Sequence, residues 1–193
     1  RLSAKMNLPP AYDLSGIKND SNSKAENGTA NGGSRINSNH VVKINAPDGD
    51  IYQALGFRLP TEAEFEYMLR AAGRSNTNFH FGSDQSALGE HAWYADNSNG
   101  STHPVAALKG LSINGQNFFY DLHGNVWEWT HDLYASRLVS GNDPQGPSTG
   151  KERVLRGGSW SYPPIALMAD YRNDHVPDTR GPEIGFRLVR TLK

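Results

Sequence analysis

The sequence of 193 residues contains no cysteine. Disulfide bonds, thiolate metal sites and a cysteine nucleophile are therefore excluded from this chain. The lack of cysteine does not fix a cellular compartment, because many exported proteins also have no disulfide bond.

The chain also lacks an excess of charge and long apolar runs. Its 19 Lys and Arg residues nearly balance 20 Asp and Glu residues, which gives a formal net charge of -1, and no basic cluster occurs. The sequence therefore gives no electrostatic reason to expect a nucleic-acid partner. No apolar run approaches the length of a membrane-spanning helix, and no signal-peptide pattern occurs.

A hydrophobic fraction of 36%, with 10% aromatic residues, is enough for a folded core. We expect one domain over residues 1–193. Within it, residues 18–40 contain one large apolar side chain, Ile36, and predict a flexible surface insertion. The first residues are typical of the end of a helix and stop at Pro9 and Pro10, which favours a protein whose N-terminal portion lies upstream.

The clearest local pattern predicts a helix over residues 62–72. Thr61 and Glu64 have the spacing of a capping box, apolar residues then recur at helical spacing, and Gly73 is a natural stop. We interpret the acidic residues of this helix as a solvated face rather than as catalytic carboxylates.

Most other regular segments are typical of short strands, and one helix with many strands favours an α+β fold with small antiparallel sheets. Gly157 and Gly158 follow an apolar strand, which predicts a bend or a close backbone approach. Near the C terminus, the alternation of Ile184, Phe186 and Leu188 predicts a strand with one buried face. Further strands are predicted at residues 11–14, 41–44, 105–108 and 126–129 and from residue 153.

Glu128 lies between two tryptophans, Trp127 and Trp129. Tryptophans in such a strand predict that one of its faces is buried. An unpaired buried carboxylate is unfavourable, so Glu128 is either paired or bound to a metal.

Four stretches, in this order, resemble the formylglycine-generating-enzyme/sulfatase-modifying-factor superfamily. They are GFRLPTEAEFEYMLRAAG, the turn at residues 95–99 leading to His103, DLHGNVWEWTHDLY, and RVLRGGSW followed by GFRLVR. The resemblance covers residues 2–190, with 18–40 as an insertion. It implies a variant of the C-type lectin fold, preceded in the family by an N-terminal portion.

The resemblance also bears on activity. The oxidase of this family depends on a copper-binding pair of cysteines between GGSW and GFR, so the lack of cysteine excludes that activity and we expect no copper. Other relatives are iron-dependent oxygenases with histidine ligands. The seven histidines here show no pair at ligand spacing on one element, and a three-histidine iron site is the enzymatic alternative.

The chain resembles above all the variable proteins of diversity-generating retroelements, which display a hypervariable patch before a C-terminal strand similar to IGFR. In that branch, randomised template adenines turn Asn codons into a restricted set of residues, and residues 173–176 match products of one such codon type. Glu183 and Met168 do not follow from these codons. The resemblance implies a non-enzymatic protein that binds a protein or cell-surface ligand. Its predicted variable surface comprises Ser161, Tyr162, Pro163, Ala166, Tyr171, Asn173, Asp174, His175, Val176, Thr179, Gly181 and Pro182.

Calcium is the cofactor that the resemblance implies. Relatives bind Ca²⁺ structurally through residues matching Asn125, Val126 and Glu128, with a weaker case for Asn97. The alternative is a Glu128 carboxylate satisfied by an arginine or by backbone amides.

Three functions are therefore open. The display protein is favoured over a histidine-ligated iron oxygenase and over a structural paralogue without diversification. A surface-exposed or secreted location in a bacterium or phage is favoured, and the residues leave the ligand and the oligomeric state open.

Overall fold

The computed structural model describes residues 2–13, 43–138 and 140–192. The predicted insertion at residues 18–40 lies outside the described residues. The chain divides into two compact units, so the expectation of one domain stays a prediction. The first unit contains the described residues up to Arg58, Val176–Thr179 and the residues from Leu188 onward; the second contains Leu59–His175 and Arg180–Arg187.

The described part of the first unit has little regular structure. It contains helix α1 (Leu2–Lys5) and the antiparallel strands β1 (Tyr12–Asp13) and β2 (Lys43–Ile44), as the sequence predicts for these places. Its buried core consists of Ala11, Ile51 and Ala54.

The second unit contains one α-helix and six strands among the described residues, which confirms the α+β class. The elements are α2 (Glu62–Leu69), β3 (Leu111–Ile113), β4 (Gln116–Phe119), β5 (Trp127–Leu133), β6 (Arg153–Arg156), β7 (Asn173–His175) and β8 (Ile184–Gly185). Strands β3 and β4 form a hairpin, and the other four form a sheet in the order β7-β6-β5-β8. Strands β5 and β8 run parallel, so this sheet is mixed rather than wholly antiparallel as predicted.

Helix α2 begins as predicted and ends earlier. The Thr61 side chain accepts from the Glu64 amide at 3.1 Å and the Glu64 carboxylate accepts from the Thr61 amide at 2.8 Å, which completes the capping box. The predicted extension to residue 72 is wrong, because Ala71 and Ala72 have φ of 53° and 58°, outside the right-handed helical region.

Two predicted strands differ from the structure. Residues 105–108 form a turn, in which Val105 is 80% exposed and Ala106 has a φ of 59°. The predicted buried face of the last strand is also wrong, because Phe186 is 65% exposed. Arg187 instead extends inward to a buried carboxylate, and this ion pair decides which face is covered.

The prediction for Gly157 and Gly158 is confirmed. Both residues have positive φ, 94° and 80°. A Cβ on Gly158 would lie 2.7 Å from the side chain of Leu167. The chain therefore turns sharply after β6 and passes directly over the segment that follows.

Candidate ligand-binding surface

The segment after β6 is fixed at its middle by buried apolar residues. A short 3-10 helix spans Pro164–Leu167, and Leu167 and Ala169 are fully buried. The Ala169 amide donates to the Asn78 carbonyl at 2.8 Å. The side chains between these anchors are therefore carried on a backbone that the core holds in place.

Arg156, which has no exposed surface, holds the next part of the segment. Its guanidinium donates to the carbonyls of Tyr171 and Ala169 and to the Glu66 carboxylate. Burial lowers the pKa of Arg156, and the carboxylates of Glu62 and Glu66 oppose that shift. Two backbone carbonyls of this irregular segment thereby accept hydrogen bonds inside the protein instead of from water.

Arg172 forms the second charged anchor. Its Nε and Nη2 donate to the two carboxylate oxygens of Glu62 at 2.6 and 2.7 Å, and its Nη1 donates to the Ala135 carbonyl at 2.6 Å. The hydrogen bond with Glu62 raises the pKa of Arg172. Glu62 is only 4% exposed, so the prediction of a solvated acidic face on α2 is wrong for this residue.

Strand β7 was not indicated by the sequence. Asn173, Asp174 and His175 pair with Leu155, Val154 and Arg153 of β6, at an edge of the four-stranded sheet. Their composition has no strand pattern, and long-range backbone pairing with β6 imposes the extended conformation.

A second group of predicted positions surrounds Trp127, which is 2% exposed. The Tyr162 and Tyr171 rings lie 5.3 and 6.0 Å from the Trp127 ring, measured between centroids. The Ser161 hydroxyl donates to the Glu183 carboxylate at 3.3 Å, which links the two ends of the segment. We call Ser161, Tyr162, Pro163, Tyr171 and Pro182, together with the edge residues Asn173, Asp174 and His175, the display surface.

The predicted positions differ in exposure. Ser161, Pro163, Tyr171, His175 and Pro182 are exposed, whereas Tyr162, Asn173, Asp174 and Gly181 are half-buried. Ala166 is corrected, because it is 2% exposed and packs in the core. Val176 and Thr179 belong to the first unit, where the Thr179 amide donates to the Val176 carbonyl at 3.0 Å.

Ile165 is a surface residue that the sequence interpretation missed. It follows Pro164 on the 3-10 helix and is 59% exposed, beside the buried Ala166. A signal for it was present, because isoleucine is among the residues that randomised Asn codons produce. Choosing between Ile165 and Ala166 required the burial pattern of the helix.

Glu128 is 5% exposed and paired with an arginine. Arg187 donates from Nε and Nη2 to the two Glu128 oxygens, each at 2.5 Å, and from Nη2 to the Asp121 carbonyl at 2.9 Å. Burial raises the pKa of Glu128, and Arg187 opposes the shift. Of the two alternatives for this carboxylate, the structure contains the arginine pair.

The side chains predicted to bind calcium are engaged with the protein. The Asn125 amide group bonds to the backbone of His103 in both directions, at 3.0 and 3.1 Å. The Asn97 side chain accepts from the Tyr94 amide at 2.8 Å and donates to the Ala92 carbonyl at 2.9 Å. With Glu128 held by Arg187, this arrangement does not fit a calcium ion, and calcium stays a prediction.

Three of the seven histidines lie together, which the sequence did not indicate. The His80 ring stacks on His123 with centroids 5.1 Å apart and lies 5.2 Å from the His91 ring. His123 donates from Nδ1 to the Leu167 carbonyl at 2.6 Å, and its Nε2 accepts from the His80 amide at 3.2 Å. Both His123 nitrogens are therefore used, which does not fit a three-histidine iron site.

Burial keeps these histidines neutral. Desolvation lowers the pKa of His80 to about 4 and that of His123 to about 3, and neighbouring histidines add to both shifts. The pKa of His91 is lowered by desolvation as well. Both ring nitrogens of His80 are buried without a hydrogen-bond partner among the described residues.

Across the described ranges, no group of three or more His, Cys, Asp or Glu side chains is placed to hold a metal ion. In the same part of the chain, no helix has the length and apolarity needed to cross a membrane.

Comparison with known proteins gives one family. The profile of the sulfatase-modifying factor enzyme 1-like domain matches residues 12–192. The formylglycine-generating enzyme of Streptomyces coelicolor is 34% identical over 171 residues, which cover 78% of this chain and 52% of that protein. The formylglycine-generating enzyme of Mus musculus is 32% identical over 168 residues, which cover 79% and 44%. The chain thus spans about half the length of these curated relatives.

Solved structures show the same relationship. Treponema denticola variable protein 1 superposes with a TM-score of 0.73 at 28% identity, covering 97% of this chain and 64% of that one. PvdO from Pseudomonas aeruginosa superposes with a TM-score of 0.59 at 31% identity, covering 72% and 54%.

Proposed function

Because the chain belongs to the sulfatase-modifying factor enzyme 1-like domain family, we propose that it is a non-enzymatic display protein. Its fold is the C-type-lectin-like fold of the formylglycine-generating-enzyme type. In this proposal the display surface binds a protein or cell-surface ligand. The observation that carries the proposal is that the rings of Tyr162 and Tyr171, both on the display surface, pack against the buried ring of Trp127.

The display surface is pre-ordered by its scaffold. Arg156, Leu167 and Ala169 are fully buried, and they fix the segment after β6 to the core. A surface that is ordered before it binds loses less conformational entropy in the complex. Side-chain choice at the exposed positions can therefore set affinity while the backbone stays the same.

The residue types at the surface suit a protein ligand. Tyrosine provides a large apolar area with a hydroxyl and few rotatable bonds, and Ser, Asn, Asp and His supply adaptable hydrogen bonds. Ile165, at 59% exposure on the same segment, adds an exposed apolar side chain. Similarity to Treponema denticola variable protein 1 supports the interpretation of this surface as a ligand-binding surface.

The formylglycine-generating relatives supply the main competing function, and the lack of cysteine removes it on chemical grounds. The copper-binding pair of cysteines implied by the resemblance cannot be formed by a chain with no cysteine. In this chain, the segment between GGSW and GFR has two fully buried apolar residues at its centre, Leu167 and Ala169. In this proposal the segment carries display residues, and it has no thiolate to bind a metal ion.

Diversification by a retroelement is the finer part of the proposal. Its test is to sequence the coding DNA and its downstream flank. We expect a repeat of the region encoding residues 160–187, with adenines wherever the codons of Tyr162, Asp174, His175 and Val176 differ. A flank without such a repeat would refute diversification, and metal analysis would then separate the undiversified paralogue from the iron oxygenase.

A second function, a histidine-ligated iron oxygenase, has one observation in its support, the clustering of His80, His91 and His123. It requires His123 to give up one of its two hydrogen bonds to the backbone. Metal analysis of the protein purified without chelator tests it. Stoichiometric iron that is lost in a His91→Ala variant would support the enzyme. Absence of iron after reconstitution with Fe²⁺ under argon would exclude it.

A further inference from the structure

A cavity of about 360 Å³ lies on the outer side of α2, wholly within the second unit. Its volume lies in the range of small-molecule sites. None of the display-surface residues lines it, so it is distinct from the proposed function. The lining comes from α2, from the end of β5 with the residues that follow it, from residues 144–147 and from Arg172.

The walls of the cavity are largely apolar. Ala63, Leu133 and Ala135 contribute aliphatic surface, and Pro144 and Pro147 add further apolar lining. Two further lining residues, Tyr67 and Leu138, are each 58% exposed. Large apolar side chains at the mouth of an apolar cavity are typical of a ligand site rather than of a solvated surface.

The carboxylates that line the cavity are already satisfied by the protein. Both Glu62 oxygens accept from Arg172, and the Glu66 oxygens accept from Arg70 at 2.8 Å and from Arg156 at 3.1 Å. The two Asp132 oxygens accept from the amides of Glu62 and Gly146, each at 2.7 Å. Each carboxylate oxygen at the cavity therefore already accepts at least one hydrogen bond from the protein.

Two lining guanidinium groups retain donors. Arg70 uses Nε for Glu66, and its Nη1 and Nη2 make no hydrogen bond to the part of the chain that the structure describes. Arg137 is exposed and has no hydrogen bond or ion pair with any described residue. The formal charges of the lining balance, with three carboxylates and three guanidinium groups, and the donors left over belong to Arg70 and Arg137. Planar guanidinium donors suit a carboxylate.

We propose that this cavity binds a small amphipathic monocarboxylate. Its apolar body occupies the space between Ala63 and Leu133, and its carboxylate is bound by Arg70 and Arg137. This binding buries apolar surface of the ligand and of Tyr67 and leaves no lining carboxylate unpaired. The inference rests on contacts of the second unit alone and stands whether or not the display surface binds a ligand.

Isothermal titration calorimetry of the whole chain tests the proposal, with octanoate as the probe. Octan-1-ol and octylamine are matched ligands without charge and with the opposite charge. We expect octanoate to bind at one class of sites and both controls to bind at least about tenfold more weakly, since a charge-assisted hydrogen bond contributes about that factor. Equal binding of the amine or alcohol, or no binding of octanoate, would overturn the proposal.

Variants locate the site. Arg137→Gln removes an exposed guanidinium that has no partner among the described residues, so the fold should be unaffected and octanoate binding should weaken about tenfold. Arg74→Gln is the matched control, because Arg74 is exposed shortly after α2 and does not line the cavity. Ala63→Phe should fill the cavity and abolish binding. In ¹H–¹⁵N spectra, octanoate should shift the amides of Ala135 and Gly146, and unchanged affinity in Arg137→Gln would refute the site.

Discussion

Arg187 and Glu128, 59 residues apart, form a two-pronged ion pair with both N···O distances at 2.5 Å. Glu128 is buried on β5, and Arg187 comes from the chain just after β8, which pairs with β5 in parallel. The pair ties the C-terminal strand to the centre of the sheet. It also occupies the carboxylate on which the calcium prediction depends.

Removing the Glu128 charge should destabilise the fold. Glu128→Gln keeps the shape and leaves the Arg187 guanidinium without its counterion, so the free energy of unfolding should fall by about 3 kcal/mol. Denaturation with urea measures the change. Glu90→Gln, which removes the exposed pair with Lys109, is the control and should leave the unfolding midpoint where it is.

Calcium should not stabilise the protein if the Glu128–Arg187 pair persists in solution. The unfolding midpoint should be the same in excess CaCl₂ and in EDTA, because ligand binding to the folded state would raise it. A rise with calcium that disappears in Asn125→Ala would show that the ion displaces Arg187. That result would establish the calcium site that the resemblance implies.

Stability should fall as the pH is lowered below about 6.5. The unfolded chain protonates histidine near 6.5, whereas the folded state keeps His80 neutral to about 4 and His123 to about 3. Between these values the unfolded state binds more protons, so each residue lowers the free energy of unfolding by about 1.4 kcal/mol per pH unit. Urea titrations from pH 7.5 to about 4 measure the slope.

His80→Phe separates the two contributions. The ring nitrogens of His80 make no hydrogen bond among the described residues, so phenylalanine should be tolerated and should reduce the pH slope by one histidine. His175→Gln, at an exposed histidine, is the control for loss of a histidine as such. An unchanged slope in His80→Phe would show that His80 is solvated in the folded protein.

Scaffold and display positions should differ in their tolerance of substitution. Arg156→Lys loses the forked contacts to the Tyr171 and Ala169 carbonyls and should lower the free energy of unfolding by about 3 kcal/mol. Ser161→Ala and His175→Ala should change it by less than about 0.5 kcal/mol, because both residues are exposed. A large loss in the exposed variants would contradict the division into scaffold and display surface.

The capping box should contribute measurably to α2. Thr61→Ala removes the side-chain acceptor for the Glu64 amide and should lower the free energy of unfolding by about 1 kcal/mol. Thr61→Ser keeps the hydroxyl and is the matched control. Equal losses in the two variants would assign the effect to packing of the Thr61 methyl group instead.

The sequence by itself determined the features that depend on neighbouring residues. Thr61 and Glu64 locate the start of α2, and Gly157 and Gly158 locate the turn after β6, because capping and positive φ act over a few residues. The lack of cysteine excluded thiolate copper chemistry for this chain, whatever fold it adopts. The order of four motifs indicated the family.

Tertiary structure decided what depends on distant residues. Ala166 is buried and Ile165 exposed because the core fixes the rotation of a short 3-10 helix. Phe186 faces solvent because Arg187 pairs with Glu128, and an alternating pattern cannot say which face will meet a buried carboxylate. Such outcomes follow from the free energy of burying charges and side chains together, which no local pattern contains.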